Sequence, residues 1–370
     1  MDFSRGGWWI IDDTGFPKKG VHSVGVARQY CGMLGKQDNC QVAVSVSLAC
    51  DQGSIPVAWQ LYLPQDWAQD AERRKRTGVP ESVRFATKTQ IALHQLRTLL
   101  SEGAPRHCVL ADAGYGVDTA FRQALSDMGL HYAVGVTSAV VVWPPGVEPL
   151  PPETYSGKGR RTAQLQPMSV KALALSLPAQ AFQTISWREG TNAPLTGRFA
   201  AVRVRHAGGN AGKASLRPQE WLLIEWPVEQ AEPVKYILST LPESTALNDL
   251  VSCAYQRWRI ERDYQDLKQD FGLGHYEGRG WRGFHHHASL SIATYAFLMS
   301  ERLIADKPAG GKKNFIERQV PAVPQDYIPR GRPARTAARG QLDHKLASSA
   351  ELRTHRPSGT VPLLRPHQHE

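Results

Sequence analysis

The chain has 370 residues, 41% of them hydrophobic, with 44 Lys and Arg against 34 Asp and Glu. That length suggests about two domains, and the apolar share is ample for a core. No apolar run reaches the ~18 residues of a membrane span and no secretory h-region follows the N-terminus, so neither a membrane protein nor an exported one is expected, and the cytosol is the expected compartment.

A formal charge of +10 suits a polyanionic partner. Its distribution restricts that reading, because residues 307–370 hold 12 Lys and Arg against 5 Asp and Glu. A phosphate-binding surface on the rest of the chain must therefore be local. Cys31, Cys40, Cys50, Cys108 and Cys253 form no C-x-x-C pair and no zinc spacing, and read as reduced core residues.

In chain order, Trp8-Trp9-Ile10-Ile11 reads as a buried strand that stops at Asp12-Asp13-Thr14-Gly15. Residues 41–49 alternate and predict a half-buried strand, 51–53 a turn, and 55–63 the antiparallel partner beside the first strand. A polar loop containing the basic run Arg73-Arg74-Lys75-Arg76 precedes a helix over 87–101. Cys108-Val109-Leu110-Ala111 is another buried strand, stopping at Asp112-Ala113-Gly114-Tyr115-Gly116. A helix over 117–128, closed by Gly129, and a strand over 131–136 follow. A strand that is apolar to its end and then shows an acid and a glycine delivers the acid to the sheet rim, where open α/β folds bind ligands. Taken alone, such an Asp is more often a turn residue or a helix cap.

Glu261 follows Asp112 by 149 positions, and much of that interval reads as short strands over 140–143, 182–187, 199–206, 221–226 and 234–241, with a Pro/Gly-rich link at 144–159. This is a β-rich insertion. Its Trp187, Trp221 and Trp226 have the faces to stack on an unpaired base, but read first as core. A helix over 245–271 follows, capped by Ser244 or Thr245. On it Arg257, Glu261, Tyr264 and Lys268 share a wedge of ~60°. A carboxylate among cations on one face suits a divalent metal beside a phosphodiester, and it equally suits ordinary i,i+4 ion pairs. One acid per strand end plus one on the helix supplies three hard oxygen donors for a pair of cations. Asp12 and Asp13 point to opposite faces of their strand, so only one of them is a ligand.

His285-His286-His287 opens a further helix ending near 303. Consecutive helical positions diverge by ~100°, so the three do not share one ion. From 307 onward eight prolines and dispersed arginines predict disorder, with Pro329-Arg330-Gly331-Arg332-Pro333 a weak minor-groove motif.

The segments I-I-D-D-T-G-F-P-K-K-G at 10–20, V-L-A-D-A-G-Y-G at 109–116, and R-W-R-I-E at 257–261 with Lys268 seven residues later resemble the DDE transposases of bacterial insertion sequences, of the insertion sequence 701 type. The resemblance covers roughly 8–303. It implies an α/β, RNase H-like core of order β-β-β-α-β-α-β-α, made of 1–137 and 244–305. It also implies a β-rich insertion at 138–243 that contacts transposon-end DNA, and leaves a basic tail at 306–370. On this likeness Asp13, Asp112 and Glu261 hold two Mg²⁺, with Mn²⁺ as a substitute. Proximity in sequence to these ligands makes Arg257, Lys268, Lys18 and Lys19 the candidates to hold phosphates of double-stranded DNA. The implied activity is cleavage of insertion-sequence ends and strand transfer to a target, by a homodimer at the bacterial nucleoid.

Asp13 is preferred to Asp12 on the resemblance alone. Related enzymes have a Tyr three residues before the Arg, where this chain has Ala254, with Tyr255 next to it. Relatives also carry a helical region ahead of the first Asp, whereas here 12 residues precede Asp13, and the tail past about Arg335 is atypical. An N-terminally truncated fragment with impaired end recognition is therefore expected. Other readings are a non-enzymatic DNA-binding inhibitor and an RNase H-like nuclease without strand transfer. An aspartic protease, from the apolar-D-T-G signature, leaves Asp112 and Glu261 without a role.

Overall fold

The structure is a computed structural model that describes residues 6–147, 167–189, 194–207 and 217–305. The expected tail from 306, its minor-groove motif and most of the Pro/Gly-rich link lie outside the described residues. Strands β1 (Trp8–Pro17), β2 (Ala27–Cys31), β3 (Lys36–Cys50) and β4 (Gly53–Leu61) lead to helices α1 (Gln65–Gln69), α2 (Ala71–Thr77) and α3 (Lys88–Ser101). Then come β5 (Cys108–Ala111), α4 (Ala113–Gly116), α5 (Thr119–Asp127) and β6 (Tyr132–Val136). The expected order over this stretch is present, with β2, α1, α2 and α4 in addition. The basic run is thus not loop but helix α2, whose N-cap Asp70 accepts from Arg73 N at 2.9 Å.

The remaining elements are β7 (Val141–Trp143), β8 (Met168–Ser169), α6 (Val170–Ser176), β9 (Gln183–Glu189), β10 (Pro194–His206), β11 (Glu220–Glu225), β12 (Lys235–Ser239), α7 (Leu247–Ala254), α8 (Trp258–Gln269) and α9 (Trp281–Ala305). The protein is mixed α/β, with one large mixed sheet in which β3, β1, β5, β6, β12, β11 and β10 are successive neighbours. β1, β5 and β6 run parallel, and β3 and β12 flank them antiparallel. Pairing of Tyr236–Ser239 with Ala133–Val136 means that the strands between the second and third acids continue the sheet outward from β6. No helix among the described residues is long and apolar enough to cross a membrane.

Two apolar layers cover the central strands. Trp9, Ile11, Val109 and Ala111 pack with α3 and α5 through Ile91, Leu96, Phe121 and Leu125. Ile10 and Leu110 pack with α7 and α8 through Val251, Ala254, Ile260 and Tyr264. Alternation along β1 and β5 sends successive side chains to these opposite layers. The helix α3 starts at a capping box in which Thr87 and Gln90 satisfy one another's backbone N–H groups.

Four further expectations change. β1 does not stop at Asp12–Gly15 but runs on to Pro17, paired throughout with β3. β3 is buried on both faces rather than half-buried: Ser45 bonds Tyr264 Oη at 2.7 Å under α8. The helix expected over 245–271 is two helices, α7 and α8, joined by a single 3₁₀ turn at Tyr255–Arg257, and its N-cap is Ala246, with no side-chain cap from Ser244 or Thr245. The helix expected from 117 starts after Asp118, whose carboxylate accepts from Ala120 N at 2.9 Å. The seat of α8 is polar: buried Asp263 accepts from Ser54 Oγ at 2.7 Å and Tyr295 Oη at 3.0 Å, fastening α8 to β4 and α9.

Candidate active site

The parallel register pairs Ile11 with Ala111, so the next residues, Asp12 and Asp112, stand side by side where β5 ends. Asp12 shares its face with Ile10 and therefore looks toward α7 and α8. Its Oδ2 lies 2.9 Å from Arg257 Nη1, and Arg257 Nη2 lies 2.6 Å from Glu261 Oε1. One guanidinium thus joins the first strand to the first turn of α8, a use of two separate N–H edges that Lys could not reproduce.

The electrostatics match that geometry. Burial pushes the Asp12 carboxyl up to about 7; the Arg257 guanidinium opposes the shift and the Asp112 charge adds to it. Burial works against the Arg257 charge, but Asp12, Glu261 and Asp112 outweigh it and hold the guanidinium protonated. Asp112 also acts as the N-cap of α4, with Oδ1 accepting from Gly114 N at 2.9 Å. The turn that carries it fits closely against β6, since a Cβ on Gly116 would collide with the Gly135 carbonyl oxygen. Gly116 is there for close packing.

Asp13, the residue preferred on resemblance, faces the opposite layer. Its Oδ2 pairs with Lys88 Nζ at 2.9 Å at the start of α3. The other residues expected at the site are spread more widely. Lys268 Nζ donates to the Gly15 carbonyl at 2.9 Å and lies 4.9 Å from the Phe16 ring centre, two turns beyond Glu261. Burial lowers its pKa to about 8. Lys18 Nζ donates to the Tyr276 carbonyl at 2.5 Å, and Lys19 is exposed past the end of β1. Lys88 was not singled out in the sequence; nothing in the local pattern separates it from any first-turn lysine.

Tyr255 serves the insertion strands: its hydroxyl donates to Glu225 Oε2 at 2.5 Å and its ring packs on Trp187 and Phe199. Trp226 packs on Phe182 and donates to Gln230 O, and Trp221 donates to Pro242 O, so all three insertion tryptophans have protein partners. The three histidines diverge as the helical period requires. His285 Nε2 accepts from Leu61 N at 3.2 Å, His287 bonds the Gly272 carbonyl at 2.8 Å, and His286 is exposed.

The acids at this site are hard oxygen donors of the kind Mg²⁺ takes. By chemistry the set fits a divalent ion. In this conformation Arg257 holds both Asp12 and Glu261, and among the described residues no three His, Cys, Asp or Glu side chains are spaced to hold a metal. Glu261 is the most exposed of these side chains, at 59%, against 16% for Asp12.

Residues 3–194 match a family model described as DDE superfamily endonuclease. The matched span includes Asp12, Asp13 and Asp112 and ends before Glu261. A curated relative, the probable transposase for insertion sequence element IS701 of Microchaete diplosiphon, is 35% identical over 130 residues, which is 35% of this chain. The match spans 31% of that relative's length.

Proposed function

The chain belongs to the DDE superfamily endonucleases, and from that premise we propose that it cuts DNA at insertion-sequence ends and joins the cut strand to a target. The core is read as RNase H-like, which the neighbour order β4, β3, β1, β5, β6 supports. The single observation that carries the site assignment is the Arg257 guanidinium bonded to both Asp12 and Glu261, with Asp112 in register beside Asp12.

On this reading Asp12, Asp112 and Glu261 would hold two divalent ions, Mg²⁺ or Mn²⁺. Bound there, such ions supply Lewis-acid activation of the attacking oxygen and charge stabilisation at the leaving oxygen. Arg257 keeps Asp12 and Glu261 facing one another, and its five N–H donors exceed the two used here, leaving donors for a phosphate oxygen. Tyr264 and Ile260 keep water from the floor beneath Asp12. Asp13 pairs Lys88 and acts as a strut between β1 and α3. Lys268 clamps the β1 backbone at Gly15 and so holds the strand that presents Asp12.

Supercoiled plasmid nicking in Mg²⁺ and in Mn²⁺ tests the reading. The wild-type chain is expected to nick, and Glu261→Gln is expected to bind duplex DNA and leave it intact. Nicking by Glu261→Gln at the wild-type rate would remove Glu261 from the site. A second reading, DNA binding without cleavage, draws on the Arg257 bonds that hold the acids in an arrangement unsuited to a metal. It predicts no nicking by the wild-type chain in either metal.

A further inference from the structure

Away from the carboxylates, a cleft of about 410 Å³ opens between α2, the loop after β1 and the turn before α9, lined by His22, Arg73, Arg76, Arg279 and Trp67. The three chain segments that meet there, 18–24, 70–77 and 275–282, carry eight Lys and Arg against three Asp and Glu. Such a balance on a concave wall, in a chain whose charge outside the tail is nearly neutral, is a local anion surface.

One of the cations, Arg73, is held in place. Arg73 lies over the ring of fully buried Trp67, 5.2 Å from its centre, and Asp70 Oδ2 meets its Nε at 3.2 Å, which fixes the guanidinium plane. Arg76 and Arg279 are exposed. The neighbouring Arg74 is turned inward, donating from Nη2 to the Pro80 and Val83 carbonyls at 2.9 Å each, so it braces the loop after α2. Val24 N donates to the Arg279 carbonyl at 3.0 Å and ties two walls together.

We propose that this cleft seats the sugar-phosphate backbone of duplex DNA flanking the phosphate at the carboxylates, an inference that rests on the function proposed above. The spacing suits it: β1 runs extended for five residues from Asp12 to Pro17, ~17 Å or about five base pairs at ~3.4 Å each, before the loop that carries Val21 and His22 into the cleft. Its lining joins three arginines and a histidine to Val21, Thr77 and the Trp67 ring, and it is partly open to solvent rather than enclosed as a small-molecule pocket is.

The test is fluorescence anisotropy of the full chain with a 30-base-pair duplex of arbitrary sequence across a salt series, comparing wild type with Arg73→Gln/Arg76→Gln/Arg279→Gln. Each phosphate contact contributes ~0.9 to the salt slope, so the triple variant is expected to lose ~2–3 from the slope and about tenfold or more in affinity. The charge-keeping triple lysine variant is expected to retain most of the slope. Should the glutamine triple fold poorly, the exposed loop variant Arg279→Gln alone is expected to lose ~1. Wild-type affinity and slope in the glutamine variants would overturn the cleft while leaving the function standing. Failure of the wild type to bind duplex DNA at all would overturn the function itself.

Discussion

Arg257 Nη1 lies 2.9 Å from Asp12 Oδ2, so a residue in the turn before α8 ties one of two adjacent aspartates, remote from it in sequence, to the guanidinium that also bonds Glu261. Which aspartate is tied follows from strand parity: Asp12 shares the face of Ile10 that α8 covers, and Asp13 shares the face of Ile11 that α3 covers.

That contact predicts a measurable coupling. Arg257→Ala should destabilise the protein by ~1–3 kcal/mol, less than a fully buried pair because the arginine side chain is 30% exposed. In a double-mutant cycle with Asp12→Asn the two changes should fall short of additive by at least ~0.5 kcal/mol. Denaturant unfolding of the four proteins measures this, and additive losses would show that the pair is not coupled.

The raised carboxyl of Asp12 sets a pH dependence. Between about pH 4 and 7 the folded chain keeps a proton on Asp12 that the unfolded chain has released, so rising pH favours unfolding over that window. The full penalty is up to ~4 kcal/mol. Asp12→Asn lacks it, so its melting temperature should climb relative to wild type from pH 4 to 7 and stay level above. A difference that does not change with pH would mean Asp12 ionises normally.

Gly116 carries a packing prediction. A methyl group there meets the Gly135 carbonyl oxygen, backbone against backbone, and neither α4 nor β6 has a flexible atom to move aside. Gly116→Ala should cost more than ~3 kcal/mol, or displace α4 together with Asp112. Thermal melts check the stability, and wild-type stability in the variant would show that α4 lies farther from β6.

Much of this fold is legible in sequence, because several buried strands begin as short apolar runs bounded by acids or turn residues. The strand ending before Asp112, the hairpin of β3 and β4, and the strands of the insertion come from period and turn residues, as does the start of β1, though β1 runs past Asp12 to Pro17. The face of Asp12 does not. Alternation says that Asp12 and Asp13 diverge, but which one meets Glu261 depends on the register with β5 and on the layer in which α8 lies. The break at Tyr255–Arg257 is silent for a related reason: no Gly or Pro marks it, and the turn lies between Tyr255, held by the insertion, and Arg257, held by Asp12. The buried Ser45 misleads because its partner, Tyr264, comes from 219 positions away.

The account depends most on Asp12 as the first carboxylate of the site. Plasmid nicking in Mn²⁺ by Asp12→Asn and Asp13→Asn, each first shown to fold by circular dichroism, tests it directly. The account predicts that Asp12→Asn loses nicking by at least about a hundredfold while Asp13→Asn keeps most of it. Loss in Asp13→Asn with activity retained in Asp12→Asn would contradict it.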